Sequence, residues 1–212
     1  MTDMMRILIV APEAAGLAPL AWAAELAQVA EIGGVEPVVC AGARATRTAI
    51  GARLAESWDV VLWSGHGAPG RLMAADGPVS AEWLACMMRQ NPPGVVLLSA
   101  CYSGLRDDSL HSIAESLSQS SITCVGMWVG VADRAAVVYD VELLRAYVSG
   151  RSVALAHRVA VAQVAMEYPG MAGAAFLLPG LVTGYGKIEK RLGGIEERLA
   201  TLEQKLDRLC EV

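Results

Sequence analysis

Charge is scarce in this chain: only 18% of its 212 residues are Asp, Glu, Lys or Arg, and the formal balance is −5. A protein that tracks a phosphate backbone or an anionic bilayer carries a basic face, so neither nucleic acid nor direct membrane insertion is expected. Long apolar spans are missing as well. The stretch "MTDMMRILIVAPEAAG" has one short apolar run and reads as a first strand rather than a secretory signal, which makes a cytoplasmic setting the expectation. The most apolar late segment, "AGAAFLLPGLVTGYG", is too short to cross a bilayer and is broken by Pro179. The five cysteines (Cys40, Cys86, Cys101, Cys124, Cys210) are odd in number and never spaced C-x-x-C. That pattern fits a reducing compartment, excludes a structural zinc, and leaves room for one reactive thiol. No spacing supports a metal, and no cofactor is expected. No G-x-S-x-G occurs, so a serine-hydrolase elbow is excluded, and Arg106 gives C-x4-R rather than the C-x5-R of a tyrosine phosphatase.

What the chain does have is apolar mass, 54% of its residues, arranged in alternating patterns. Runs such as "RILIVAP", "VEPVVCAG", "WDVVLWSG", "GVVLLSAC" and "ITCVGMWV" read as strands. Between them, "LAPLAWAAELAQVAEI", "ATRTAIGARLAES", "SAEWLACMMRQ" and "SLHSIAESLSQ" read as helices. Near-continuous Val/Ile/Leu runs separated by helices describe strands buried on both faces, hence an α/β fold with a largely parallel sheet. Ligand chemistry then belongs at the carboxyl ends of the strands.

The tail differs. Ile188, Leu192, Ile195, Leu199, Leu202, Leu206 and Leu209 follow a 4-3-4-3-4-3 spacing, the seam of a coiled coil. With Leu192, Leu199 and Leu206 at a, the g positions are Arg191, Arg198 and Lys205 and the e positions Glu189, Glu196 and Glu203. Basic g against acidic e favours parallel self-association or a partner helix. A single amphipathic helix packed on its own domain is the alternative.

"VVLWSGHGAPG" carries Gly65, Gly67 and Gly70 in G-x-G-x-x-G spacing, the outline of a dinucleotide turn. That fingerprint needs a helix to open at its third glycine. Here "RLMAADGPVS" follows, which reads as a hairpin with an Asp76–Gly77 turn. A second reading turns on His66, between two of the glycines, and on Cys101, where the next strand, "VVLLSACYSG", stops. Neighbouring parallel strands lie about 4.8 Å apart, so the two side chains could converge above the sheet edge. An imidazole there can take the thiol proton, and the thiolate can attack a carbonyl carbon. The Gly67 and Cys101 amides are then the candidates for an oxyanion hole. The bland reading of each residue alone is inert packing or an ordinary loop. His157 and His111 fall in helical patterns and read as structural or solvated; Cys40, Cys86 and Cys124 read as core. Asp107 and Asp108 fit a helix start or the rim of the site.

"SGHG" ending one strand and "SACYSG" ending the next resemble the paired histidine and cysteine motifs of caspase-like peptidases, the group that holds separases, gingipains and legumains. Within it the chain is similar to bacterial CHAT domains, with "VGVADRAAVVYDVELLRAYVSGRSVALAHRVA" and the closing "YPGMAGAAFLLPG" matching their order. The resemblance implies a three-layer α/β/α sandwich with a mostly parallel six-stranded sheet over residues 1–184; the heptad spacing adds a coiled-coil helix over 185–212. It implies a cysteine endopeptidase with His66 as general base and Cys101 as nucleophile, acting on a specific protein partner in a regulated bacterial antiphage or cell-death system. It also makes Asp133 the carboxylate that receives a basic P1 side chain, a role in keeping with charge-assisted recognition of Arg or Lys. As an alternative, Asp133 is the N-cap of the helix that follows. The rival to the whole reading is a catalytically silent CHAT-like scaffold working through its tail.

Overall fold

A computed structural model describes residues 4–20, 22–106 and 112–180. The expected tail coiled coil with its Ile188–Leu209 seam, Asp107, Asp108, His111 and Cys210 lie outside the described residues. In chain order the elements are β1 (Met5–Pro12), α1 (Trp22–Ala30), β2 (Val35–Gly42), α2 (Arg47–Leu54), β3 (Val60–Ser64), β4 (Gly67–Ala68), β5 (Arg71–Ala74), β6 (Gly77–Ser80), α3 (Ala81–Met88), β7 (Val95–Ser99), α4 (Ile113–Gln119), β8 (Cys124–Met127), α5 (Asp133–Val148), α6 (Val153–Glu167) and β9 (Ala175–Leu178).

Six strands form one sheet in the order β2-β1-β3-β7-β8-β9. The first five run parallel, and β9 pairs antiparallel with β8. Strand side chains alternate between faces, and here the two faces bury equally apolar sets. Ile7, Ile9, Val60, Leu62, Val95 and Leu97 pack with residues of α1, α5 and α6. Leu8, Val10, Val61, Trp63, Val96 and Leu98 pack with residues of α2, α3 and α4. Helices therefore cover both faces, which is why these strands read as unbroken apolar runs. Each Leu, Ile or Val so enclosed stabilises the fold by roughly 1.5–3 kcal/mol relative to exposure.

Polar caps set where the helices start. Thr46, Ser80 and Ser152 each accept a hydrogen bond from a first-turn amide of the helix that follows, and Ser112 and Glu115 form a reciprocal capping box on α4. α1 is shorter than its pattern: Pro19 biases the residue before it away from helical backbone, residues 18–20 are not helical, and the described helix is Trp22–Ala30. The hairpin after the glycine loop is real, but its two-residue loop is Ala75–Asp76, with Gly77 already in β6 opposite Ala74. Asp76 turns out to accept the first α2 amide, that of Arg47, at 2.8 Å, which ties the hairpin to α2. Two of the three supposed core cysteines differ from expectation. Cys86 is exposed because α3 buries Ala81, Leu84, Ala85 and Met88, and Cys40 is half-buried because β2 is an edge strand; Cys124 is fully buried. Among the described residues no helix is long and apolar enough to cross a membrane.

Candidate active site

β3 and β7 are neighbours in register, with Ser64 opposite Ser99. The Gly65 amide continues the pairing with a 3.1 Å bond to the Ser99 carbonyl. His66 and Cys101 each lie two positions beyond that pair, so one register places both at the same level past the sheet edge. Val60 and Leu62 in β3, and Val95 and Leu97 in β7, face α1, α5 and α6. By period-two alternation Ser64 and Ser99 belong to that face too. There the edge opens into a cleft of about 440 Å³, its mouth included, lined by His66, Cys101, Ser64, Ser99, Asp133 and Glu25 among others. The two residues singled out in sequence thus share one cleft with the third, Asp133.

The histidine is held by the loop after β1. Its Nε2 lies 2.7 Å from the Ala18 carbonyl oxygen. A carbonyl only accepts, so Nε2 carries a proton and Nδ1 holds the lone pair available to a thiol. The turn after His66 does not open a helix. Pro69–Gly70 reverse the chain, with Gly70 at φ +70°, and β4 pairs back onto β5. The Met73 amide bonds the His66 carbonyl at 3.0 Å. Antiparallel pairs alternate between bonded and non-bonded, so Gly67, opposite Leu72, falls on the non-bonded step and its N–H turns away from β5. Gly67 also abuts the nucleophile turn: a Cβ there would come within 2.6 Å of the Cys101 carbonyl oxygen.

The turn that carries Cys101 is fixed from several sides. The Val131 amide donates to the Cys101 sulfur at 3.3 Å. Tyr102 stands at φ +59°, a left-handed backbone that costs a non-glycine residue about 1–2 kcal/mol. Ser103 is fully buried; its hydroxyl donates to the Leu98 carbonyl and accepts from the Met127 amide. Bonds from the Gly104 amide to Met127 and from the Tyr102 amide to Val129 tie the turn to β8 and the loop after it.

Asp133 is the first residue of α5, and the N-cap is Ala132, whose side chain makes no cap. The N-cap alternative for Asp133 is therefore not what is found; its carboxyl sits one position into the helix, at the cleft wall. His157 pairs its Nδ1 with the Tyr139 hydroxyl between α6 and α5, and burial lowers its pKa; it stands outside the cleft lining.

Two acidic residues went unremarked in the sequence. Glu25 of α1 and Asp140 of α5 are 1% and 0% exposed. Glu25 lines the cleft and faces Asp140 and the Ser64 hydroxyl, while Asp140 faces Glu25 and the Ser99 hydroxyl. Burial first, and repulsion from Glu25 with it, pushes the Asp140 carboxyl well above the usual carboxylate range; burial, with Asp133 adding to it, also raises Glu25, against the hydrogen bonds it receives from Asp140 and Ser64. Glu25 Oε1 and both Asp140 oxygens lack a hydrogen-bond partner at ordinary length. A signal was present: Glu25 is the only charge in "WAAELAQVA", four before buried Val29, and Asp140 lies seven after Asp133 on the same face of α5. The described residues hold no group of acidic, histidine and cysteine side chains suited to a metal.

No family model matches the chain, and no curated protein matches it. Solved structures do. The crystal structure of the Arg-specific cysteine proteinase gingipain R superposes with a TM-score of 0.64 at 13% identity, covering 84% of this chain and 46% of that one. The complex of Porphyromonas gingivalis RgpB pro- and mature domains gives 0.61 at 12% identity, covering 84% and 48%. The chain spans slightly less than half the length of these proteins. The likeness establishes the caspase-like fold.

Proposed function

We propose that this protein is a cysteine endopeptidase with His66 as general base and Cys101 as nucleophile. The observation that carries the reading is the register: histidine and cysteine stand two residues beyond a paired Ser64 and Ser99 on adjacent parallel strands and line one cleft. Likeness of fold to a cysteine proteinase supports it.

In the proposed reaction His66 Nδ1 takes the thiol proton while Nε2–H, bonded to Ala18, holds the ring in place. The thiolate attacks the scissile carbonyl carbon, and the new oxyanion is received by the Cys101 and Gly67 amides. The imidazolium returns its proton to the leaving amine. Water, deprotonated by the same nitrogen, then releases the acyl group and restores the thiol. Asp133 at the cleft wall favours a basic P1 side chain. The Arg-specific description of gingipain R supports that preference. The resemblance to CHAT domains extends the proposal to a specific protein substrate in a cytoplasmic defence or cell-death system, with tail-mediated assembly as its control.

The test is hydrolysis of fluorogenic peptides with Arg or Lys at P1 by the full chain. Wild type turns them over, whereas Cys101→Ala and His66→Ala each lose at least about a thousandfold in kcat. Turnover that survives Cys101→Ala overturns the reading. Silence of the wild type even when dimerisation is enforced favours the scaffold instead.

A further inference from the structure

The mechanism above uses neither Glu25 nor Asp140, yet Glu25 lines the same cleft and Asp140 faces Glu25. Two carboxyls are enclosed between α1 and α5, and three of their four oxygens have no hydrogen-bond partner at ordinary length, although the carboxyls face each other and a serine hydroxyl apiece. No ion pair among the described residues involves either of them. Adjacent buried carboxyls cannot both ionise without a counter-charge, so one proton stays between them. Among the described residues, everything titratable that faces the pair is neutral or negative in sign when ionised, save the histidine at the mouth. α5 brings Asp133 and Tyr139, the β7 tip brings Cys101, and the β3 tip brings His66; Ser64 and Ser99 contribute only hydroxyls. Among the described residues, the carboxyl pair has no positive side chain against it.

We propose that Glu25, backed by Asp140, is a specificity-determining residue at the floor of the cleft, and that a cationic substrate side chain replaces the proton the two carboxyls share. As a guanidinium or ammonium enters past Asp133, Glu25 becomes its carboxylate partner, and the displaced proton leaves through the cleft mouth to solvent. Charge balances: one cation enters and one proton departs. Recognition of a positive side chain is thereby coupled to pH, whereas recognition of a neutral one of the same shape is not. This rests on the peptidase reading and refines where its selectivity resides.

The experiment compares two peptides differing only at P1, arginine against citrulline, its uncharged isostere. It measures the ratio of their kcat/KM from pH 5.5 to 8.5, above the ordinary carboxyl range of about 4. Ionisation of the histidine and the thiol affects both peptides and cancels in the ratio. In the wild type the ratio climbs with pH, by up to about tenfold per unit while one proton is displaced per substrate bound, and then levels. Glu25→Gln lowers the ratio and removes the climb. Asp140→Asn, whose amide can donate to Glu25, keeps the arginine preference and moves the climb to lower pH. Thermal melting and alkylation of Cys101 show that each variant is folded, and should Glu25→Gln not fold, Asp140→Asn decides the matter. Cys101-dependent cleavage of both peptides with a flat wild-type ratio, or with the wild-type climb persisting in a folded variant, overturns this inference and leaves the peptidase reading standing. If neither peptide is cleaved in a Cys101-dependent way, the peptidase reading fails and this inference with it.

Discussion

Replacing Gly67 by alanine tests whether the glycine loop exists for the nucleophile turn. The added Cβ would stand 2.6 Å from the Cys101 carbonyl oxygen and 3.0 Å from Ala100 Cβ, where ordinary contact begins at 3.4 Å. The carbonyl is backbone and cannot swing aside as a flexible side chain would. Relief requires one of the two turns to retreat by most of the roughly 0.8 Å shortfall at the oxygen. Overpacking of this kind costs about 1–3 kcal/mol. For a domain of this size that lowers Tm by about 2–12 °C. The catalytic penalty should exceed the stability penalty in visibility, because displacing reacting groups by about 1 Å costs on the order of a hundredfold in rate. The assay pairs thermal melting with kcat/KM on an Arg-P1 peptide. Gly33→Ala serves as reference, since a Cβ there meets nothing within 4 Å. A Gly67→Ala protein that melts and turns over like wild type would refute the packing argument, and the oxyanion assignment would lose its structural basis.

Other substitutions probe the surroundings of the cleft. Ser103→Ala strips the Met127 amide of its buried acceptor. The cost is about 1–3 kcal/mol, read as a lower urea midpoint at unchanged slope. Glu25 and Asp140 hold their protons to higher pH in the folded chain than in the unfolded one. The folded state therefore binds more protons from about pH 4 up to their raised values, and stability falls as pH rises through that window by at most about 1.4 kcal/mol per unit per proton. Asp140→Asn consequently raises Tm more at pH 8 than at pH 5; an equal shift at both would contradict the buried pair. Iodoacetamide on the native protein, mapped by mass spectrometry, labels exposed Cys86 and cleft-lining Cys101 but spares Cys124, whose thiol complete burial pushes far up.

The parallel sheet was readable because burial on both faces leaves strands no polar alternation: "RILIVAP" is apolar after its arginine, and "VVLWSG" and "VVLLSA" show no polar residue until Ser64 and Ser99. His66 and Cys101 were readable because each interrupts such a run at its carboxyl end. What the sequence concealed depends on contacts between distant segments. The Asp133 carboxyl looked equally fit for capping, and only the backbone shows that Ala132 takes the cap position. Cys86 looked buried because α3 is apolar almost throughout, yet its inward stripe, Ala81, Leu84, Ala85 and Met88, passes it by. Glu25 and Asp140 stand 115 positions apart in the chain, and no local pattern announces that two helices set them face to face.

That pair bears on the choice between peptidase and scaffold. Two buried carboxyls with no counter-charge among the described residues weaken the resting fold, and apolar residues of similar volume in such positions are often neutral or stabilising by about 1–4 kcal/mol. A chain acting only through its tail has no use for that burden in its sheet. Nor does packing demand it: the flanking Val29, Val137 and Leu144 form an apolar layer that a leucine and a valine could complete. The burden makes sense where the missing charge arrives with a ligand, because a preorganised anionic floor then contributes to binding what it withholds from stability. Its location on the Ser64–Ser99 side of the sheet, beneath His66 and Cys101, is where such a ligand's side chain would lie if its backbone crossed the thiol. The strained Tyr102 backbone argues in the same direction, since it follows Cys101, which lines the cleft with Glu25.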